Sequence, residues 1–248
     1  MSTTATKSKV AIVTGASRGI GAEVARRLAS DGFVVIVNYG GEAREAQELV
    51  GKIEVEGGRA LAVQADVRIP EEVRRLFETA ERNFGGVDVL VNNAGIMLLA
   101  RVAEMDDATF DRMVAVNLKG TFNAMREAAT RIRPGGRIIN LSSSVIGLHL
   151  PTYAAYVATK AGVEAMTTVL AQEMRGRNVT VNAIAPGPTA TELFLKGKPA
   201  EVVDRMTKAP PLERLGQPVD IARVVSFLAG DDSGWVNGQT LRANGGIV

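Results

Sequence analysis

Tyr156 and Lys160 stand four residues apart in Tyr156-Val-Ala-Thr-Lys160, inside a stretch, 155–173, whose apolar rhythm predicts a helix. Side chains at that spacing share one helix face, which suits proton exchange with an oxygen. A free phenol, with a pKa of about 10, holds its proton too firmly to be a base near neutrality, and a nearby cation favours the phenolate. At ~4 Å and an effective dielectric of ~20, one charge is worth roughly 4 kcal/mol. That is about three pKa units, whereas bulk water leaves only about 1 kcal/mol. The pair therefore needs a pocket that shields it from solvent. Tyr153 has no such partner, because Val157 follows it at the same spacing.

A second set of residues sits near the start. Val10-Ala-Ile-Val-Thr-Gly15-Ala-Ser17-Arg18-Gly19-Ile20-Gly21 reads as a strand turning sharply into a helix. Without Cβ atoms, Gly15, Gly19 and Gly21 let backbone approach a pyrophosphate closely, and the helix start offers it unpaired N–H groups. The position of the turn, after the first strand and before the first helix, makes it a dinucleotide cradle.

Elements that could carry these residues alternate along the chain. Val- and Ile-rich runs at 10–13, 33–37, 60–63, 87–91, 137–141, 179–184 and 240–241 predict strands, mostly apolar on both faces. Such runs suit a parallel sheet covered on both sides. Helical patterns lie at 20–30, 43–56, 71–83, 107–131, 155–173 and 219–229. Pro70 before Glu71 and Glu72, and Pro218 before Val219 and Asp220, mark helix starts. The alternation predicts an α/β fold: a single-domain, doubly wound parallel sheet of about seven strands, spanning 1–248. The segment from Pro186 to Leu215 breaks the rhythm with five prolines, and an extended lid over a site is expected at about 188–215.

Composition narrows the function further. The 248 residues are 46% apolar and 23% charged, with a net charge of +2. There is no long basic run, so nucleic-acid binding is not expected. No cysteine is present and His149 is the single histidine, which excludes thiolate and His-rich metal sites. The polar lead at 1–9 has no signal-peptide core, and no window has the apolar length of a membrane span. A soluble cytoplasmic protein is expected.

Thr14-Gly15-Ala16-Ser17-Arg18-Gly19-Ile20-Gly21, Asn92-Asn93-Ala94-Gly95 and Tyr156-Val-Ala-Thr-Lys160 together resemble the landmarks of the short-chain dehydrogenase/reductase family. The likeness runs along essentially the whole chain and points to its 3-oxoacyl-carrier-protein reductase and carbonyl reductase branch. It implies hydride transfer between a nicotinamide and a carbonyl or alcohol carbon. Asn117, Ser143, Tyr156 and Lys160 would form the family's tetrad. Tyr156 would exchange the proton, Ser143 would hold the substrate oxygen, and Lys160 would hold the nicotinamide ribose. Asn117 would bind a water joining Lys160 to solvent. Ser142, Ser143 and Ser144 are consecutive; Ser143 fits the spacing and Ser144 is the alternative.

The same resemblance places Asp66 and Val67 at the adenine, although Asp66 could instead cap a helix. Asn92 would be structural, with Asn93, Ala94 and Gly95 along the cofactor. Pro186, Gly187 and Thr189 would meet the carboxamide. Asn38, ending the second strand, carries no charge to repel a 2′-phosphate, and Arg18 could pair with one; both favour NADP(H) over NAD(H). Ile96, Val145, His149, Tyr153, Pro188, Leu193 and Phe194 are the candidate substrate pocket, mostly apolar, for a small carbonyl or alcohol or an acyl thioester. Apolar faces on the helices at 107–131 and 155–173, with the C-terminal stretch 235–248, suggest the homotetramer common in the family. An NAD-linked alcohol or sugar dehydrogenase is the alternative within the family; a nicotinamide-binding regulator without catalysis lies outside that class.

Overall fold

The computed structural model describes residues 8–248, so the first seven residues of the polar lead lie outside the described residues. Seven strands form one sheet in the order β3-β2-β1-β4-β5-β6-β7, and every pairing is parallel. They are β1 (Val10–Val13), β2 (Val34–Tyr39), β3 (Arg59–Gln64), β4 (Val87–Asn92), β5 (Ile132–Leu141), β6 (Thr180–Pro186) and β7 (Thr240–Ala243).

Alternation along the strands divides the core in two. Ala11, Val13, Val35, Val37, Val89 and Val91 pack on one face under α1 (Gly19–Ser30), α2 (Arg44–Val55) and α9 (Pro218–Ala229). Val10, Ile12, Val34, Ile36 and Leu90 face the other way, under α3 (Pro70–Phe84), α5 (Gly120–Arg131) and α6 (Ala154–Glu173). Two covered faces explain why the central strands read as unbroken apolar runs. The edge strand β3 is only half buried. Pro70 opens α3 and Gly85, at φ 82°, closes it. Gln217 and Asp220 form a capping box at the start of α9.

Two expected elements differ in detail. The helix expected at 107–131 is three pieces: α4 (Asp107–Met113), a π-helical turn at Val114–Lys119, and α5. Asn117 lies in the π turn, where widened backbone commonly marks a functional site. The segment after β6 is not extended throughout. It carries α7 (Glu192–Leu195), started by Thr191 accepting from the Phe194 N–H, and α8 (Ala200–Lys208). A bridge between Thr189 and Gly216 closes its base. Among the described residues, no helix is long and apolar enough to cross a membrane and no cluster of metal-binding side chains is found.

Strand order reverses between β1 and β4. A crevice opens beyond the carboxyl ends of strands at such a reversal, and the candidate residues converge there.

Candidate active site

The glycine turn is held open by three polar side chains beneath it. Thr14 Oγ1 accepts from the N–H groups of Asn93 (3.0 Å) and Ala94 (3.1 Å). Asn93 Nδ2 donates to the carbonyls of Thr14 and Gly15, both at 2.9 Å. Asn38 Oδ1 accepts from the Gly15 N–H at 3.2 Å. Gly15 and Gly19 have φ of 60° and 58°, backbone that favours glycine. A Cβ on Gly21 would stand 2.4 Å from Asn93 Nδ2 and 2.6 Å from the Gly15 carbonyl. Gly21→Ala should therefore weaken dinucleotide binding roughly tenfold or more, since overpacking costs about 1–3 kcal/mol. Fluorescence titration checks this, and unchanged affinity would contradict the packing. Arg18 ends the turn without capping α1, so first-turn N–H groups remain for an anion. A cradle this tight, with Ser17 and Ile20 along it, fits a dinucleotide pyrophosphate.

The side chain of Asn38 is taken up within the protein. It is buried, and its Nδ2 donates to the Ala65 carbonyl at 3.0 Å. The amide joins the glycine turn to β2 and the chain after β3. Arg18 is exposed and lies between Glu45 (3.5 Å) and Glu192 (3.9 Å). Asp66 does not cap α3, whose N-cap is Ile69. Its carboxylate accepts from Arg68, which holds it below the usual carboxylate range. Val67 packs against the backbone where Gly120 lacks a Cβ. Asn92 Nδ2 donates to Asn140 Oδ1 at 2.8 Å, tying β4 to β5.

Tyr156, Lys160 and Ser143 line one pocket with Asn93, Gly95, Pro186, Gly187 and Thr189. The serines diverge. Ser142 Oγ donates to Glu164 (2.5 Å) and Ser144 Oγ to the Ala185 carbonyl (2.9 Å), while Ser143 Oγ accepts only from the Val145 N–H at 3.4 Å and lines the cavity together with Tyr156. Tyr153 stands edge-on to Tyr156 at 6.5 Å. Burial pushes the Tyr156 phenol up to about 12, partly opposed by Ser143. Burial also pushes the Lys160 ammonium down to about 8. The sequence-based expectation ran the other way for Tyr156. The ammonium lies 5.8 Å from the centre of the tyrosine ring, and it donates to the Leu141 carbonyl at 2.7 Å. Loss of water from the phenol dominates over that separation.

Asn117 is fully buried. Its amide brackets Ile96, accepting from the Ile96 N–H and donating to the Ile96 carbonyl, each at 2.8 Å. Gly95 packs closely beside it: a Cβ there would stand 3.3 Å from Asn117 Oδ1 and 3.7 Å from Lys160 Nζ.

The cavity measures about 150 Å³. Val145, Tyr153, Pro188, Leu193 and Phe194 line it as expected, but Ile96 and His149 do not. Ile96 is held by Asn117, so the next residue, Met97, reaches the cavity. His149 is exposed at φ 50°, turned outward between Leu148 and Leu150, which line the wall. Met206, from α8, was also missed; the amphipathic pattern of 200–208 was the available signal.

A family model described as enoyl-(acyl carrier protein) reductase matches residues 15–248. A short-chain type dehydrogenase/reductase of Picea abies is 46% identical over 97% of this chain and 92% of its own. The chain belongs to the short-chain dehydrogenase/reductase family. A second relative, an NADPH-dependent aldehyde reductase-like protein, chloroplastic, of Arabidopsis thaliana, is 42% identical over 97% of this chain and 94% of its own. The solved structure of a short-chain dehydrogenase from Burkholderia cenocepacia with NADP superposes with a TM-score of 0.91. It is 35% identical and covers 96% of this chain and 97% of that one. This short-chain dehydrogenase/reductase thus shares its fold with that structure over nearly the whole length of both chains.

Proposed function

We propose that this protein reduces a ketone, aldehyde or 3-oxoacyl carbonyl to an alcohol with NADPH, reversibly, with Tyr156 as the acid. The observation that carries this reading is the meeting of Tyr156, Ser143 and Lys160 at a cavity bordered by the glycine turn and Gly95. The name of the Arabidopsis relative and the bound NADP of the Burkholderia structure support the cofactor.

The cofactor, when bound, supplies the hydride. Gly15, Ser17, Gly19, Ile20 and Gly21 would hold its pyrophosphate, with Arg18 toward a 2′-phosphate. Asn93, Ala94, Gly95, Pro186, Gly187 and Thr189 would flank its nicotinamide half. Asp66 and Val67 would stand at the adenine. Ser143 orients the carbonyl oxygen toward the phenol. Tyr156, proton-loaded well above neutrality, donates its proton as charge develops on that oxygen. Lys160 binds the ribose hydroxyls and stabilises the phenolate left behind. Asn117 would hold a water that joins Lys160 to solvent, through which the proton is replaced.

Proton donation requires the ammonium form of Lys160, which is lost as pH rises through about 8. The reduction rate, as kcat/KM against pH, is expected to be flat below about 7 and to fall nearly tenfold per unit above 8. A rate that stays flat to about pH 10 would contradict the role of Lys160.

Most cavity side chains are apolar, favouring an uncharged aliphatic or aromatic carbonyl. The segment over it acts as the lid. A panel of aldehydes, ketones and an acetoacetyl thioester, assayed with NADPH and NADH, tests this reading; no turnover with any carbonyl would reject it. One observation favours the NAD-linked alternative: Glu45 and Glu192 flank Arg18 and oppose a second phosphate there. A strong NADH preference would decide for it. Phe122, Val169 and Trp235, exposed at 48%, 57% and 99%, support the homotetramer within this proposal.

A further inference from the structure

We propose that Glu164 is a positioning residue, which accepts the Ser142 hydroxyl and thereby fixes the loop that presents Ser143 to Tyr156. The inference rests on the reading above, in which Ser143 orients the substrate oxygen.

Tyr156, Lys160 and Glu164 follow one another at four-residue spacing on α6, so they form a stripe on one face. Each meets a successive part of the chain leaving β5. Lys160 Nζ donates to the Leu141 carbonyl at 2.7 Å. Glu164 Oε1 accepts from Ser142 Oγ at 2.5 Å. Tyr156 lines the same cavity as Ser143. Ser143 has little of its own to hold it: the Val145 N–H reaches its Oγ only at 3.4 Å. Its neighbours are held firmly instead. Ser142 and Ser144 are 4% and 3% exposed. Ser144 donates to the Ala185 carbonyl and accepts from Asn244 Nδ2 at 3.0 Å.

The Ser142–Glu164 bond is therefore the one tie through which α6 grips the side chain next to Ser143. A hydroxyl donating to a carboxylate is a strong, short bond, and it links the loop to the helix that carries Tyr156. Loss of the bond releases the loop on its α6 side, the Ser142 N–H keeping its bond to the Ile184 carbonyl at 2.7 Å, and leaves the cofactor cradle, built from β1, β2 and the chain after β4, untouched. The effect should fall on turnover, because a misplacement of about 1 Å at a reacting group costs about a hundredfold.

The test uses the full-length enzyme with NADPH and its best carbonyl from the panel. Ser142→Ala and Glu164→Ala should each lower kcat by about ten- to a hundredfold. KM for the carbonyl and the fluorescence-measured Kd of NADPH should change by less than about threefold. The double variant should be no worse than either single one, because both remove the same tie. Glu164→Gln keeps an acceptor oxygen without the charge and should restore kcat to within about threefold. That rescue separates positioning from a charge effect on Lys160. Parental kcat in Ser142→Ala, additive losses, or no rescue by Gln would each overturn the proposal. Should Glu164→Ala fold poorly, Ser142→Ala, which deletes a single oxygen, still decides. Ser143→Ala separates the two levels. Parental turnover there overturns the underlying reading of Ser143. A crippled Ser143→Ala beside an unaffected Ser142→Ala overturns only the role of Glu164.

Discussion

Tyr156→Phe is expected to lower kcat by roughly three to four orders of magnitude while leaving NADPH affinity nearly unchanged. The substitution removes one oxygen and keeps the ring, so the edge-on packing with Tyr153 at 6.5 Å survives. What is lost is the proposed proton donor. General acid catalysis is worth about 10²–10⁴ in rate, and this donor shares its pocket with the Ser143 hydroxyl, so the upper part of that range applies. Equilibrium titration of NADPH followed by single-turnover reduction of a ketone separates binding from chemistry. Substantial turnover by the Phe variant would remove Tyr156 from the reaction.

The second large effect has two halves of opposite sign. Lys160→Met should cut activity by at least about a hundredfold, yet it should not destabilise the fold. Lys160 is 5% exposed and its ammonium is pushed from 10.5 to about 8 by burial. The folded protein thus binds that proton more weakly than the unfolded chain does. The penalty is fully present below about pH 8 and fades as pH rises toward 10.5. At neutrality it amounts to roughly 3 kcal/mol. Methionine abolishes it, and a Leu141 carbonyl left without its donor returns about 1–3 kcal/mol of cost. Thermal unfolding near pH 7 should give a Tm equal to or above that of the parent. A clear drop in Tm would show that Lys160 stabilises the pocket, and parental activity would show that the ammonium is not needed. A charge that costs stability where activity needs it is the usual trade at an active site.

The glycine turn reads directly from the sequence because local backbone geometry dictates residue type. Gly15 and Gly19 adopt positive φ, and Gly21 has no room for a Cβ, so few other residues would do. The strands read well for a related reason. Both faces of the central strands are buried, which leaves apolar residues at every position. The spacing of Tyr156 and Lys160 follows from helix periodicity, and α6 presents both to one cavity.

What the sequence determined, then, was everything governed by neighbours in the chain: the element order, the cradle and the shared helix face. Tertiary structure decided the rest. Three consecutive serines are alike in sequence, yet Glu164 and the Ala185 carbonyl occupy two of them, and Ser143 lines the cavity with Tyr156 without such a partner. Asn38 looks free to meet a cofactor until Gly15 and Ala65 are seen to hold it. His149 and Ile96 lie next to residues that line the cavity but point elsewhere. The phenol's affinity for its proton depends on how much water the assembled walls exclude. A hydrogen-bond partner contributed by a distant segment, and the solvent displaced when segments pack, are properties of three-dimensional proximity that no local pattern encodes.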